Sequence, residues 1–404
     1  MKILLLSPFF FPEQISTGKY NTYLAEALAA AGHEVTVLAS HPIYPNWRAE
    51  ISHATLPKIE IKRGGSWITY PRSATLRRAF LELWFAWYVL TGYFKLESRP
   101  DVVVPIFPPS LFFMVLHALL PRSVCRVGIV HDLQGVYAAK TGGFLSQLVN
   151  GAIHFIEKRC FRVCDGLIFL SSSMARRAIA EYKLIEQRCS VCYPFVAIAD
   201  GSENSTALAE VLLPDRFNVV YSGALGKKHN SASLFEFMNA VAHSQSNVVC
   251  HIFSAGPLFE DLRLVNQGLA SCKVQFHDLV PADHLAELYA RSDVQIIPQA
   301  ADTGDGSLPS KLPNLLAAGV PVFAICEVGS ELGDLVIEAD AGIVANSWDI
   351  ASLTGLFESY KNTLGTESKA DQRARLQTFV SAKFSIDTVV GCVLDTAKTK
   401  MENK

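Results

Sequence analysis

The chain alternates short apolar runs with segments of helical spacing, and it does so in two successive series. Residues 2 to 7 read as a first strand. The stretch from Gly18 to Ala31 carries apolar residues at helical spacing, and "GHEVTVLAS" then supplies a helix stop and a second strand. The runs "PDVVVPIF" (100–107), "CRVGIVHD" (125–132) and "CDGLIFLS" (164–171) follow. Near-continuous hydrophobic strands with helices between them call for a parallel sheet covered on both faces. A stretch poorer in strand formers, "DGSENSTALAEVLLPDR" (200–216), reads as a linker. A second series then begins with "FNVVYSG" (217–223), "NVVCHIFSAG" (247–256), "KVQFHD" (273–278), "DVQIIPQ" (293–299) and "PVFAI" (321–325). Helices are expected near 231–243, near 282–291 and after Pro313. With 404 residues the chain exceeds one hydrophobic core. The fold class expected is α/β, two Rossmann-like doubly wound domains facing a cleft. Ligands of such sheets bind beyond the carboxyl ends of the strands.

Composition narrows the partners. Half the residues are hydrophobic, 18% are charged, and the formal net charge is -2, so neither disorder nor broad electrostatic binding of nucleic acid is expected. Nine cysteines are scattered, and neither Cys160 with Cys164 nor Cys189 with Cys192 has the second ligand pair of a zinc site. Buried reduced thiols and a cytosolic setting follow. The start "MKILLLSPFFFPE" is interrupted by Pro8, Pro12 and Glu13, so it reads as a buried strand and not as a signal peptide. The stretch "RRAFLELWFAWYVLTGYF" (77–94) is too short for a membrane span. It fits either a core helix under a large sheet or an amphipathic helix at a bilayer interface.

Candidate chemistry sits at strand ends. The loop "YSGALGKKHN" leaves a strand with Gly223 and Gly226, which allow close backbone approach, and with Lys227 and Lys228 before a helix. A diphosphate would fit it, with Lys228, nearer the helix, as the leading cation. The loop is neither a Walker motif nor the dinucleotide fingerprint. His131 and Asp132 end a strand, where the imidazole suits a sugar hydroxyl or proton handling. Ser16 and Gly18 precede the first helix as a phosphate contact, a sugar contact or a plain cap. Gly256, Val280 and Ser310, beside runs of the second series, complete the candidate ligand contacts.

Taken in order, these pieces resemble the retaining, metal-independent glycosyltransferases of family 4, with the GT-B fold. The similarity runs over nearly the whole chain. It is carried by "PE...STGKYNTYLAEALAAAGHEVTVLAS", "PDVVV", "HDL", "FRVCDGLIFLSSSM" and "VVYSGALGKKHN", and most specifically by "HLAELYARSDVQIIPQ" followed by "LAAGVPV". Within the family, "HPIYPNW" and "LPSKLPNLLAAGVPV" look like the branch of colanic-acid and L-fucosamine transferases of O-antigen and capsule assembly.

The resemblance implies an acceptor-binding domain over 1–200, a nucleotide-sugar domain over 201–375 and a helix over 376–404 returning to the first domain. It implies a UDP-sugar donor, best guessed as N-acetyl-L-fucosamine, and a polyprenyl-diphosphate-linked acceptor at the cytoplasmic face of the inner membrane. No cofactor or metal is expected. Most members carry two glutamates eight positions apart before "A-x-G-x-P"; here Gly306 and Asn314 occupy those places. Lys311 lies between them, expected to face a donor phosphate together with the helix amides, while Asn314 is a neutral partner for ribose. Asp305, or Asp302, is the candidate contact for the donor sugar. The acceptor would attack on the face from which the diphosphate leaves, with His131 positioning the sugar. A UDP-sugar epimerase and a non-catalytic glycan-assembly protein are the competing readings.

Overall fold

The run Lys2–Leu6 (β1) is buried over its last four residues, as expected of the inner strand of a sheet covered on both faces. In the computed structural model, residues 1–13, 15–44, 46–133, 144–196, 206–268, 273–301, 308–365 and 367–402 are described, with backbone alone at 74–75, 144–150 and 227. They form two compact units, Met1–Phe195 with Ser385–Lys404, and Val196–Phe384.

In the first unit β1 is joined by β2 (Glu34–Ser40), β3 (Ile59–Gly64), β4 (Val102–Phe107), β5 (Cys125–Val130), β6 (Gly166–Phe169) and β7 (Cys189–Val191). They lie in the order β3-β2-β1-β4-β5-β6-β7, with every pairing parallel. Helices α1 (Ser16–Ala30), α2 (Ala74–Phe94), α3 (Leu111–Leu116), α4 (Phe144–Val163) and α5 (Ser172–Tyr182) connect the strands. One face of the sheet packs Trp84, Phe85, Val89 and Tyr93 of α2 against Phe107, Phe112 and Phe161. The other packs Leu24 and Leu28 of α1 with Val389, Val393 and Ala397 from the end of the chain.

The second unit holds β8 (Phe217–Ser222), β9 (Val248–Ser254), β10 (Val274–Asp278), β11 (Val294–Pro298), β12 (Val322–Ile325) and β13 (Gly342–Ala345), in the parallel order β10-β9-β8-β11-β12-β13. Its helices are α6 (Ser231–Ser244), α7 (Pro257–Gly268), α8 (Leu285–Arg291), α9 (Leu312–Ala318), α10 (Glu331–Glu338), α11 (Ile350–Thr363) and α12 (Lys369–Lys383). Helix α9 ends as its sequence demands: Gly319 takes a φ of 76°, and the amides of Gly319 and Val320 return to the carbonyls of Leu316 and Leu315. This is the left-handed stop that a glycine adopts most readily.

The last helix, α13 (Ile386–Glu402), belongs to the first unit. The units divide at 195/196 and 384/385, so the return begins later than the expected residue 376. The reason is α12, which backs onto α9: a Cβ at Gly319 would lie 2.8 Å from the Cβ of Arg373. The aromatic stretch serves two faces at once. Trp84 is 9% exposed, whereas Leu76, Leu83, Trp87 and Phe94 of the same helix stand open to solvent.

Candidate functional site

Strands β8 and β11 are neighbours in the second sheet but far apart in the chain, so the loops that leave them diverge. Such a switch point opens a crevice at the carboxyl ends of the strands. The ladder between the two pairs Val219 with Val294 and Val220 with Gln295.

The loop leaving β8 is shaped by its own contacts. Gly223 has a φ of 133°, a conformation that L side chains rarely adopt. Its amide donates to the carbonyl of Phe253, that of Leu225 to Ser254 Oγ (3.1 Å), and that of Gly226 to His229 Nδ1 (2.9 Å). These three amides are therefore occupied within the unit. Residues Lys227–His229 form a short turn whose end holds the loop beside β11, because Ala300 donates its amide to the carbonyl of Lys228 at 2.8 Å. Lys228 is exposed and takes part in no ion pair among the described residues. His229 accepts at Nδ1, which leaves the proton of its neutral form on Nε2. Burial, then Lys311, then Lys228 lower its pKa.

Lys311 was expected to face a donor phosphate; its ammonium turns inward instead. Nζ donates to the carbonyl of Ile296 at 2.9 Å and to that of Ser222 at 3.4 Å, and it lies 4.4 Å from the centre of the Tyr221 ring. Enclosure pushes its pKa down to about 7.

Of the other candidates in this unit, Gly256 has a φ of 104° just before α7, and open space surrounds the position of its Cβ. Val280 is partly exposed after β10, and Ser310 is exposed before Lys311. Asn314 is partly buried in the first turn of α9 and already has a partner. Asp302, Asp305 and Gly306 lie outside the described residues, as does the side chain of Lys227.

His131, Asp132, Ser16 and Gly18 belong to the first unit. His131 follows β5 with its amide bonded to the carbonyl of Phe107, and Tyr20 meets its ring edge-on at 4.8 Å between centroids. Its Nε2 and the Tyr20 hydroxyl are both buried without a hydrogen-bond partner among the described residues. Burial holds the His131 pKa down at about 4, so the imidazole is neutral near pH 7. Asp132, with Glu82 and Glu157, acts electrostatically on the Arg78 guanidinium.

Ser16 is exposed within the first turn of α1 and does not cap it; the cap position is Ile15. Gly18 is there because a Cβ would stand 3.0 Å from that of Glu13. Glu13, missed in the sequence as a site residue, is buried, and its carboxylate accepts from the amides of Ile43 (2.8 Å) and Tyr44 (3.4 Å). The stretch "HPIYPNW" is thereby anchored to the loop before α1. A cavity of about 700 Å³ opens at the other end of the second sheet, lined by Phe217, Tyr289, Asp293, Pro321, Arg373 and others. It lies at the amino ends of β8, β11 and β12, away from the cationic loop.

Comparison with known proteins agrees with this architecture. Residues 17–200 match the family described as Glycosyltransferase Family 4. The chain is 27% identical, over 83% of its length and 86% of the relative's, to the colanic acid biosynthesis glycosyl transferase WcaI of Escherichia coli K12. Among solved structures it resembles the sucrose-phosphate synthase of Thermosynechococcus elongatus (TM-score 0.72, 18% identity, 100% of this chain and 98% of that one). It also resembles WaaG, a glycosyltransferase involved in lipopolysaccharide biosynthesis (TM-score 0.67, 15% identity, 96% of this chain and 98% of that one). Both parallel-sheet units thus share the GT-B fold of these structures.

Proposed function

We propose, from the match of residues 17–200 to Glycosyltransferase Family 4, that the chain moves a sugar from a UDP-sugar to a polyprenyl-diphosphate-linked saccharide, with retention of configuration, in the assembly of a bacterial envelope polysaccharide. The observation that carries the reading is the loop at the switch point of the second sheet. There Lys228 is exposed and without an acidic partner among the described residues, next to His229, on which both it and the partly buried Lys311 act electrostatically. Negative charge grows on the diphosphate as the glycosidic bond breaks, and a cation fixed where that charge develops lowers the barrier. We assign this charge stabilisation to Lys228. His131, neutral near pH 7 and with its Nε2 buried, is assigned a hydrogen bond to the transferred sugar. N-acetyl-L-fucosamine is the sugar we favour, on the resemblance of the "HPIYPNW" and "LPSKLPNLLAAGVPV" stretches to the L-fucosamine transferase branch.

The acceptor's lipid calls for a membrane surface, and α2 offers one. Leu76, Leu83, Trp87 and Phe94 recur at steps of seven, four and seven residues, which places them in one stripe. Exposed Arg72, Lys95 and Arg99 flank it, so the face suits an anionic bilayer. No described helix is long and apolar enough to cross a membrane.

The test is a turnover screen of the purified protein with UDP-, GDP- and dTDP-sugars in EDTA, with and without an N-acetylglucosaminyl diphospho-lipid. Acceptor-dependent release of UDP is the expected result. Conversion of the sugar without acceptor would make the protein an epimerase. Binding without turnover for every pairing would favour a non-catalytic assembly role.

A further inference from the structure

The ladder between β8 and β11 runs through the pairs Val219–Val294 and Val220–Gln295, and beyond it side chains link their carboxyl ends, with Ser222 Oγ donating to Gln295 Oε1 at 3.4 Å. Lys311, at the start of α9, reaches under the loop, and its Nζ takes the carbonyls of Ser222 and Ile296, one from each strand. The same ammonium lies against the Tyr221 ring, whose hydroxyl donates to the carbonyl of Ala224 within the loop. Lys311 therefore holds the loop from two sides: through Ser222, the residue before Gly223, and through Tyr221 and Ala224. The charge is costly to enclose, because no carboxylate pairs with it among the described residues. The Tyr221 ring lies against it, and it acts electrostatically, as Lys228 does, on His229 of the turn.

We propose that Lys311 is a positioning residue that ties the carboxyl ends of β8 and β11 together and so sets the Gly223–Asn230 loop to present Lys228 to a nucleotide diphosphate. The proposal rests on the reading of that loop as the donor site, and it makes the nucleotide affinity of the site depend on a charge the nucleotide does not touch. Lys311 titrates at about 7, and its cation is lost as pH rises through that value. Nucleotide affinity should fall along with it, because the cation–π contact with Tyr221 and the stronger carbonyl bonds need the charge.

The experiment is calorimetric titration of UDP, GDP and dTDP into the full chain between pH 7 and 9, with Lys311→Arg, Lys311→Met, Lys228→Ala and the Lys228→Ala/Lys311→Met double variant. The wild type should lose about tenfold in affinity across the range. Lys311→Arg, charged throughout, should stay flat, and Lys311→Met should be uniformly weak. The double variant should be little weaker than Lys228→Ala, because the two residues act through one contact. Additive losses would mean that Lys311 touches the nucleotide directly, and full affinity in a folded Lys311→Met protein would make it a packing residue; either result overturns the proposal. If Lys311→Met does not fold, a flat wild-type profile overturns it alone. Undiminished affinity in Lys228→Ala, for whichever nucleotide binds, would instead remove the loop from the donor site, and the proposal with it.

Discussion

Two tryptophans three residues apart on α2 should respond to the same substitution in opposite ways. Trp84 is 9% exposed, packs in the core of the first unit, and donates its indole N–H to the Tyr70 hydroxyl at 2.7 Å. Trp84→Ala removes that packing and leaves a buried hydroxyl short of a partner, at a cost of about 3–5 kcal/mol. In a unit of this size each kcal/mol lowers Tm by about 2–4 °C, so a fall of roughly 10 °C is expected. Trp87 is 69% exposed, and its loss should change stability by no more than about 0.5 kcal/mol. If that surface enters a bilayer, some 100–170 Å² of indole leaves water, which at about 25 cal/mol per Å² stabilises binding by about 2–4 kcal/mol. Trp87→Ala should therefore weaken binding to phosphatidylglycerol-containing vesicles at least tenfold, with Tm held. Scanning calorimetry and vesicle sedimentation read the two effects separately. The reasoning fails if Trp87→Ala lowers Tm as far as Trp84→Ala does, or if it leaves vesicle binding unchanged.

Three further outcomes follow from named contacts. Lys228→Ala should cost about 1.5–3 kcal/mol of nucleotide binding, at least tenfold in Kd, while Tm stays unchanged because the side chain is exposed. Gly319→Ala forces a Cβ into a φ of 76° and to within 2.8 Å of the Arg373 Cβ; denaturant unfolding should register a loss of about 2 kcal/mol or more. Burial lowers the pKa of His131 to about 4 and of His251 to about 3, below the unfolded value near 6.5. The unfolded chain then binds more protons than the native one in that window. Their stabilising share is complete above about pH 6.5 and fades as pH falls toward 4. Tm should follow that course, and His131→Asn should flatten part of the fall; an identical slope would exclude His131 as a source.

The two sheets were legible in the sequence because strands buried on both faces must be continuously apolar, and runs such as "VVVPIF" and "VQIIP" have few other uses. The cationic loop was legible too, since glycines and lysines at a strand end signal close approach and charge. The direction of Lys311 was not. A lysine at a helix start can face outward or inward, and only the meeting of β8 and β11, strands distant in the chain whose end carbonyls it reaches, decides it. Glu13 was hidden for a similar reason: its partners, the amides of Ile43 and Tyr44, carry no side-chain signal. Helix α2 resisted a single reading because it meets both descriptions, a core face at Trp84 and an open face at Trp87.

The central claim is that a sugar nucleotide binds at the carboxyl ends of the second sheet, and a crystal structure of the protein with UDP tests it most directly. The expected result is the diphosphate against Lys228 and the Gly223–His229 loop, with Lys311 still bonded to Ser222 and Ile296. A nucleotide seated instead in the 700 Å³ cavity beside Tyr289, Asp293 and Arg373, at the opposite end of the strands, would contradict it.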